Sequence, residues 1–252
     1  MLAFHNEPAL KAYYQARLAA HYAANDIIRG EYGGPGGVSG WRGCAVGGTL
    51  HSSDPKVAET ELGIPEVVMR LDDIIFESLP ESEGPQWAVD FLSAIPVGAD
   101  LALVGAKFAM WVLSDPVHGS RQYADAASKV MTDAVLHLYN RWLTGDEPSQ
   151  KEWQDASVEA IGGYKRAAHA SYVTSAVWTT ANREQAARLS QAADIKFSNA
   201  HAAGATAFAA HPRTNIADAL TDGAYAARLM GDTAYWQAAK ERLLQLLKGS
   251  LS

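Results

Sequence analysis

Hydrophobic and polar positions follow a helical spacing along most of the chain. The first such stretch runs from residue 8 to residue 28, and one of its faces is formed by Leu10, Tyr14, Leu18, His21 and Ile28. Apolar residues three or four positions apart predict an amphipathic helix, and glycine is a common residue just after a helix end. The pattern therefore predicts a first helix that ends at Gly30.

Later stretches predict further helices. From Pro65 onward, aliphatic residues form one face, and the acidic residues Asp72, Asp73 and Glu77 are assigned to a solvated face. Residues 99–113 are almost wholly apolar and predict a central buried helix that is too short to span a bilayer. Residues 121–143 and 233–247 repeat the amphipathic pattern, and no convincing strand pattern of period two is present.

The second half of the chain is rich in alanine, with 23 alanines among residues 151–230. Alanine has the best helix propensity. We therefore predict an all-α fold, a multi-helix array with a Gly-rich loop in its N-terminal half and antiparallel Ala-rich helices in its C-terminal half. Residues 1–145 are expected to form a helical domain containing loop 30–48. Residues 146–252 are expected to form an Ala-rich region packed on it, or to continue the same domain.

Composition excludes several classes of protein. A single cysteine in 252 residues excludes a disulfide scaffold and a multi-thiolate zinc site. The net charge is −7, and residues 1–126 hold 16 acidic against 8 basic residues, which argues against a nucleic-acid partner. No run of 18 apolar residues and no basic-then-apolar leader occurs, so we expect no membrane partner and a cytoplasmic location.

The segment from residue 30 to residue 48 departs from the helical pattern, because nine of its 19 residues are glycine. Ordering so many glycines is costly, which indicates either a flexible loop or a backbone that approaches something closely. The segment lacks the Gly-Lys-Ser/Thr ending of a phosphate-binding loop. We expect it to bind a small ligand or a host partner, and an anionic, nucleotide-like molecule is one candidate ligand. The residues expected to line this pocket are Trp41, Arg42, Gly43, Gly47, Gly48, Thr49 and His51.

Cys44 is the candidate nucleophile if the protein is an enzyme. It follows the glycines at the start of a short helix, where amide dipoles and Arg42 would lower the pKa of the thiol. His51 or His5 would be the base, and glycine amides would be the oxyanion donors of a thiol-dependent hydrolase or transferase. Alternatively, Cys44 is a buried residue that only fills space in the apolar core. A non-enzymatic binding protein is favoured over an enzyme.

Three histidines, His5, His21 and His51, would converge if the Gly-rich segment folded back on the first helix. His21 lies on the apolar face, where a buried and hydrogen-bonded histidine is the common outcome. Since no pair of histidines has metal-ligand spacing, we expect no metal and no cofactor. Asp72 and Asp73 are sequence neighbours on a helix and point to different sides, so we do not expect a catalytic pair.

Three motifs occur in the first 101 residues: Gly43-Cys44-Ala45-Val46-Gly47-Gly48-Thr49-Leu50-His51, Glu61-Leu62-Gly63-Ile64-Pro65-Glu66 and Ala94-Ile95-Pro96-Val97-Gly98-Ala99-Asp100-Leu101. Together with an Ala-rich helical tail, they resemble a family of uncharacterised helical proteins encoded by bacteriophages, prophages and bacterial genomes. The resemblance implies a phage-related origin and supplies no catalytic residues.

In a phage setting, the ligand near the Gly-rich loop would be a small host molecule or a host protein, bound as part of counter-defence. A structural or assembly protein, in which the Ala-rich half packs against copies of itself, is the remaining alternative.

Overall fold

The computed structural model of the protein describes residues 1–124, 126–160, 216–229 and 231–250. Within these ranges the chain is mainly helical, and its strands are limited to one pair of two residues each. The prediction of an all-α, multi-helix fold is therefore confirmed. The antiparallel array predicted for the Ala-rich stretch 151–230 lies largely outside the described residues.

A long segment, residues 24–44, separates the first two α-helices, and the helices from residue 45 to residue 143 follow one another more closely. The α-helices up to residue 143 are α1 (Pro8–Ala23), α2 (Ala45–Leu50), α3 (Val57–Leu62), α4 (Glu66–Ser78), α5 (Gly84–Ala94), α6 (Val104–Ser114) and α7 (Ala126–Leu143). Short 3-10 helices span Ala3–Asn6 and Ser120–Tyr123. Residues 150–160, Ile216–Leu229 and Tyr235–Lys248 are also helical.

The first helix is shorter than its apolar stripe predicts. α1 ends at Ala23, and Asn25 adopts a left-handed backbone with φ of 54°. Asparagine tolerates this conformation better than most residues, so it stops the helix. Ile27 then forms a parallel bridge with Gly43 instead of continuing the helix. The chain thus turns back towards the Gly-rich segment before Gly30 is reached.

The Gly-rich segment contains a small hairpin that the sequence pattern does not predict. β1 (Gly34–Pro35) pairs antiparallel with β2 (Trp41–Arg42), and the N–H of Gly36 donates to the carbonyl of Gly40 at 3.2 Å. Gly40 has φ of 93°, which favours glycine. The hairpin is too short to show any alternation of polar and apolar residues.

The chain divides into two compact units, Met1–Gly105 with Trp236–Ser252, and Ala106–Tyr235. In the first unit, α5 packs against both α1 and α4, and α2 lies among these three helices. All six residues of α2 are buried. The Gly-rich segment leads directly into α2, so it is positioned by the core of this unit.

In the second unit, the 3-10 helix Ser120–Tyr123 contacts α7 and the helix Ile216–Leu229. Nδ1 of His118 lies 2.7 Å from Oδ2 of Asp232, and the ring of Trp111 packs at 5.4 Å from that of Tyr235.

Across the described ranges, every helix falls short of the length and apolarity that a bilayer crossing needs.

Candidate functional site

The Gly-rich segment is held to the end of α1 by backbone hydrogen bonds. The N–H of Gly43 donates to the carbonyl of Asp26 at 3.0 Å, and the N–H of Ile28 donates to the carbonyl of Gly43 at 2.8 Å. The N–H of Cys44 donates to the carbonyl of Glu31 at 2.9 Å. These bonds fix both sides of the segment and bring residues 30–32 alongside the start of α2.

Three glycines allow parts of this backbone to touch. A Cβ on Gly47 would lie 1.7 Å from the carbonyl oxygen of Tyr32, and a Cβ on Gly43 would lie 2.1 Å from it. A Cβ on Gly33 would lie 1.8 Å from the carbonyl oxygen of Arg42. These distances are far below van der Waals contact, so only glycine fits. The close approach expected of the glycines occurs, but it is to the chain itself.

The amides predicted to bind an anion already have acceptors. The N–H of Gly43 donates to Asp26, that of Gly47 to Sγ of Cys44 at 3.5 Å, and that of Gly48 to the carbonyl of Cys44 at 2.8 Å. Gly43, Gly47 and Gly48 are also buried. The expectation that these amides hold an anionic ligand is therefore not supported by their geometry, because each of the three N–H groups has an acceptor within the chain.

The other predicted ligand-binding residues differ in how far they are exposed. Thr49 is 3% exposed inside α2, whereas Arg42 is exposed. Trp41 is half-buried, and its indole stacks on the imidazole of His51 with the ring centroids 5.0 Å apart and an angle of 8° between the planes. Trp41 and His51 are thus brought together, while Thr49 belongs to the core.

An acidic cleft opens beside this segment, between residues 30–32, the start of α2 and α4. Its volume is about 210 Å³, and its lining residues are Gly30, Glu31, Tyr32, Cys44, Asp73 and Glu77. The hydroxyl of Tyr32 donates to Oδ2 of Asp73 at 3.1 Å. The N–H of Gly30 donates to both carboxylate oxygens of Glu77, at 3.0 and 3.2 Å. We call this feature the acidic cleft.

The thiol of Cys44 lines the acidic cleft but does not have the electrostatics of a nucleophile. Burial and the nearby carboxyl of Asp73 raise the thiol pKa far above its ordinary value, and the hydrogen bond from the N–H of Gly47 opposes this only in part. The expectation that amide dipoles and Arg42 lower the pKa of this thiol is wrong. The thiol is 1% exposed and faces acids rather than a cation.

Neither candidate base reaches Cys44. Cys44 and His51 cap opposite ends of α2, which separates them by about 10 Å at 1.5 Å per residue. His5 is hydrogen bonded elsewhere, with Nε2 at 2.9 Å from the carbonyl oxygen of Thr60. The nucleophile–base pair proposed from the sequence is therefore not formed with either histidine.

His21 and His51 meet at the other end of α2. Their Nε2 atoms are 2.8 Å apart, and Nδ1 of His21 lies 2.5 Å from Oγ of Ser39. Oδ2 of Asp26 accepts hydrogen bonds from the hydroxyl of Ser39 at 2.6 Å and from its N–H at 2.7 Å. A chain of four side chains thus links the buried Asp26 to the exposed His51. We call it the histidine chain.

The number of available hydrogens determines which group donates and which accepts in each hydrogen bond of the histidine chain. The hydrogen bonds from Ser39 lower the pKa of Asp26, so its carboxylate is ionised and only accepts. The one hydroxyl hydrogen of Ser39 goes to Asp26, so Oγ accepts from Nδ1–H of His21. A neutral His21 then has a bare Nε2, which accepts from Nε2–H of His51. His51 therefore presents a bare Nδ1.

The surroundings keep both rings neutral in neutral solution. Burial lowers the pKa of His21, with Asp26 raising it and Arg17 lowering it further. Burial, Arg17 and His21 lower the pKa of His51, and Glu61 opposes them. His51 also has a left-handed backbone, with φ of 52° and ψ of 38°. Such a conformation is uncommon for a residue other than glycine, and it occurs here at the residue that ends α2.

Asp72 is buried, contrary to the solvated face assigned to it. Its side chain is 1% exposed, and burial followed by the charge of Asp73 raises the pKa of its carboxyl well above the ordinary value. Asp73 is partly exposed and faces the acidic cleft. The two acids point to different sides, as helix geometry requires, but only one of them points towards solvent.

Several residues of the acidic cleft and the histidine chain could not be predicted from the local sequence. Glu31, Tyr32 and Ser39 are embedded in the Gly-rich segment and match no motif. Asp73 and Glu77 are four residues apart and therefore share one face of a helix, which is the one local signal for the acidic cleft. Within the described residues, no group of three or more His, Cys, Asp or Glu is arranged to hold a metal ion.

Comparison with known proteins gives no further constraint on these clusters. No protein-family model matches the chain, and no curated protein or solved structure is significantly similar to it. The resemblance to phage-encoded proteins stays an expectation from the sequence motifs.

Proposed function

We propose that the protein is a binding protein whose acidic cleft holds the cationic group of a small ligand, an ammonium or a guanidinium. The observation that carries this proposal is a cleft of about 210 Å³ with three acidic residues, Glu31, Asp73 and Glu77, among the six that line it. Carboxylates accept several hydrogen bonds each and attract cations. A cation therefore suits the acidic cleft better than the anionic, nucleotide-like group expected from the glycines.

The hydrogen bonds already made in the acidic cleft leave room for a ligand. Both oxygens of Glu77 accept from the N–H of Gly30, and Oδ2 of Asp73 accepts from the hydroxyl of Tyr32. An ionised carboxylate has about four acceptor positions. The remaining positions can accept the N–H groups of an ammonium or guanidinium without displacing the bonds that hold the walls.

The ionisation of Asp73 offers a signature of cation binding. Burial raises the pKa of its carboxyl, while hydrogen bonds from Cys44 and Tyr32 and the charge of Arg70 oppose the rise. A bound cation would favour the ionised form and lower this pKa. Binding is therefore expected to release protons over the pH range in which Asp73 titrates, which an uncharged ligand would not do.

The size of the acidic cleft limits the ligand. Sites for drug-sized molecules have volumes of about 300–1,000 Å³. A cleft of about 210 Å³ suits a single charged group with a short apolar stem. We therefore expect a small amine or guanidine to be the simplest ligand.

The test is calorimetry with charge-matched probes. n-Butylammonium and n-butylguanidinium are titrated into the protein beside butyrate and butyl phosphate. The proposal requires binding of the cations and weaker or no binding of the anions. Repeating the titration in buffers of different ionisation enthalpy measures the protons released. Tighter binding of the anions than of the cations, or no binding of either cation, would refute it.

Variants that remove a charge inside or outside the acidic cleft test whether the ligand binds there. Glu77→Gln and Asp73→Asn each remove a charge from the acidic cleft, and each is expected to weaken cation binding about tenfold, or about 1.4 kcal/mol. Glu81→Gln makes the same change at an exposed position and should leave binding unchanged. Arg42→Glu should also leave it unchanged, since Arg42 is not among the residues that line the acidic cleft.

The family resemblance suggests a setting for this activity. If the chain is phage-related, the ligand is a host-derived amine or the cationic side chain of a host protein, and its capture serves counter-defence. The same calorimetry tests this extension when host extracts are fractionated for amines that displace n-butylammonium. A thiol-dependent hydrolase has no observation in its favour, because the Cys44 thiol has a raised pKa and is paired with neither His5 nor His51.

A further inference from the structure

The contact between His21 and His51 depends on a single hydrogen. With their Nε2 atoms 2.8 Å apart, one nitrogen must donate and the other must accept. A first proton can be added at Nδ1 of His51, which is bare, without disturbing the contact. A second proton has to go to Nε2 of His21, and two N–H groups would then face each other at hydrogen-bond distance.

Double protonation is therefore incompatible with the contact. Both rings would carry a positive charge, and neither would have an acceptor for the other. The Nδ1–H bond from His21 to Ser39 would survive, because His21 donates that hydrogen in both states. His51 is the partner that has to move, because His21 stays attached to Ser39.

α2 connects this contact to the acidic cleft. His51 caps the C-terminal end of the helix and Cys44, which lines the cleft, caps its N-terminal end. Gly43 and Gly47 touch the carbonyl of Tyr32, another cleft residue, so closely that no Cβ could be accommodated. A helix of six residues is short and stiff, so a displacement at one end changes the packing at the other.

We propose that the His21–His51 contact is an acid-sensitive latch: protonation of both rings separates them, displaces α2 and weakens ligand binding in the acidic cleft. The effect on binding rests on the proposed function, whereas the opening of the contact does not. The latch is closed when at least one of the two rings is neutral.

The charged groups around the latch set the pH at which it opens. Asp26 and Arg17 face His21, and Glu61 and Arg17 face His51. The two acids favour protonation, whereas Arg17, burial and the neighbouring imidazole oppose it, and the pKa of each ring is lowered overall. The latch is therefore expected to stay closed in neutral solution and to open below the ordinary titration range of histidine, near pH 6.5.

The first experiment follows opening without any ligand. Hydrogen exchange of the His51 amide, which donates to the carbonyl of Gly47 at 2.8 Å, is measured from about pH 8 to about pH 4.5 and corrected for the intrinsic rate. Protection should fall by about tenfold per pH unit once the second proton binds, because opening takes up one proton.

Two variants isolate the latch. His21→Gln cannot take up the second proton, so the pH dependence of protection should be lost. His51→Gln should give the same result and serves if the first variant fails to fold. His137→Gln changes an exposed histidine of α7 and should retain the wild-type profile. Equal pH profiles in wild type and in a folded His21→Gln or His51→Gln variant would overturn the proposal.

The second experiment measures n-butylammonium affinity over the same pH range. The wild-type affinity should fall by about tenfold per pH unit more than that of His21→Gln once the latch opens. Equal falls in the two proteins, with binding intact near pH 8, reject the latch and leave the proposed function standing. Absence of binding near pH 8 rejects the proposed function, and hydrogen exchange then decides the latch alone.

Discussion

The imidazole of His21 accepts a hydrogen bond from that of His51 across 2.8 Å, and its opposite nitrogen donates to Ser39, which is bound to Asp26. This order of donors predicts specific tautomers, with the hydrogen on Nδ1 of His21 and on Nε2 of His51. Nitrogen-15 chemical shifts of the two rings at about pH 8 report these tautomers directly. The opposite assignment for His21 would contradict the donor count.

Ser39→Ala removes the hydroxyl that joins Asp26 to His21. Both partners then lose a hydrogen bond in a mostly buried setting, which costs about 1–3 kcal/mol. We expect a loss of unfolding free energy in that range, together with a mixture of His21 tautomers in the nitrogen-15 spectrum. Ser53→Ala, at an exposed position, is the control and should change neither. An unchanged His21 tautomer in Ser39→Ala would show that another group fixes this ring.

Gly47 and Gly48 are neighbours in α2, but only Gly47 lies where a side chain cannot fit. A Cβ on Gly47 would collide with the carbonyl of Tyr32 at 1.7 Å, whereas a Cβ on Gly48 would lie 3.6 Å from Leu18 in ordinary contact. Gly47→Ala is expected to cost about 3 kcal/mol or more, because buried backbone would have to shift. Gly48→Ala is expected to be neutral or to stabilise by up to about 1 kcal/mol, through helix propensity.

Urea denaturation of the two alanine variants checks this pair. They have the same composition and differ only in which glycine is replaced, so each is the control for the other. Similar stabilities of the two proteins would mean that the Tyr32 backbone yields easily, and that the close packing of the Gly-rich segment is not needed for folding.

The main helices were predictable because their core faces have helical spacing. Pro65 immediately precedes α4, and Val68, Leu71 and Ile75 are buried on it as the pattern requires. For Asp72 the two signals in the sequence disagree. Its acidic side chain predicts exposure to solvent, whereas its spacing from Val68 and Ile75 predicts a position in the core. The structure follows the spacing, so the period of the helix outweighs the charge of one residue.

The candidate site was less predictable, because it depends on contacts between distant segments. The glycine content of the segment indicates that its backbone comes close to another group. It does not indicate which group that is. That Tyr32 lies against Gly43 and Gly47 is a matter of register between the segment and α2. Likewise, the meeting of His21 with His51 requires the chain to turn after Ala23, at Asn25.

Cys44 should be chemically inert in the folded protein. Burial and Asp73 raise its pKa, and the thiolate is the reactive form, so we expect alkylation by iodoacetamide at about pH 8 to be at least a hundredfold slower than for a free thiol. Asp73→Asn removes a neighbouring acid and should speed the reaction severalfold. In denaturant the rate should return to that of a free thiol, which serves as the control. Labelling of the native protein as fast as a free thiol would contradict the raised pKa.

Asp72 is expected to make the stability of the protein depend on pH. Its carboxyl is buried, and among the described residues none forms a hydrogen bond with its Oδ1. Its pKa is raised on folding, so the folded state binds its proton more tightly than the unfolded state does. Its contribution to stability is therefore complete below the unfolded value of 3.8 and is lost as the pH rises through the folded pKa.

Asp72→Asn removes this titration while nearly keeping the size of the side chain. We expect equal stability of variant and wild type in strong acid, and a growing advantage for the variant as pH rises, by up to about 1.4 kcal/mol per pH unit. Urea midpoints from about pH 3 to pH 8 measure the difference. Asp90→Asn alters a surface acid that bonds Gln86 on the same helix and should lack this trend. A stability difference between Asp72→Asn and wild type that stays constant with pH would mean that Asp72 remains ionised inside the fold.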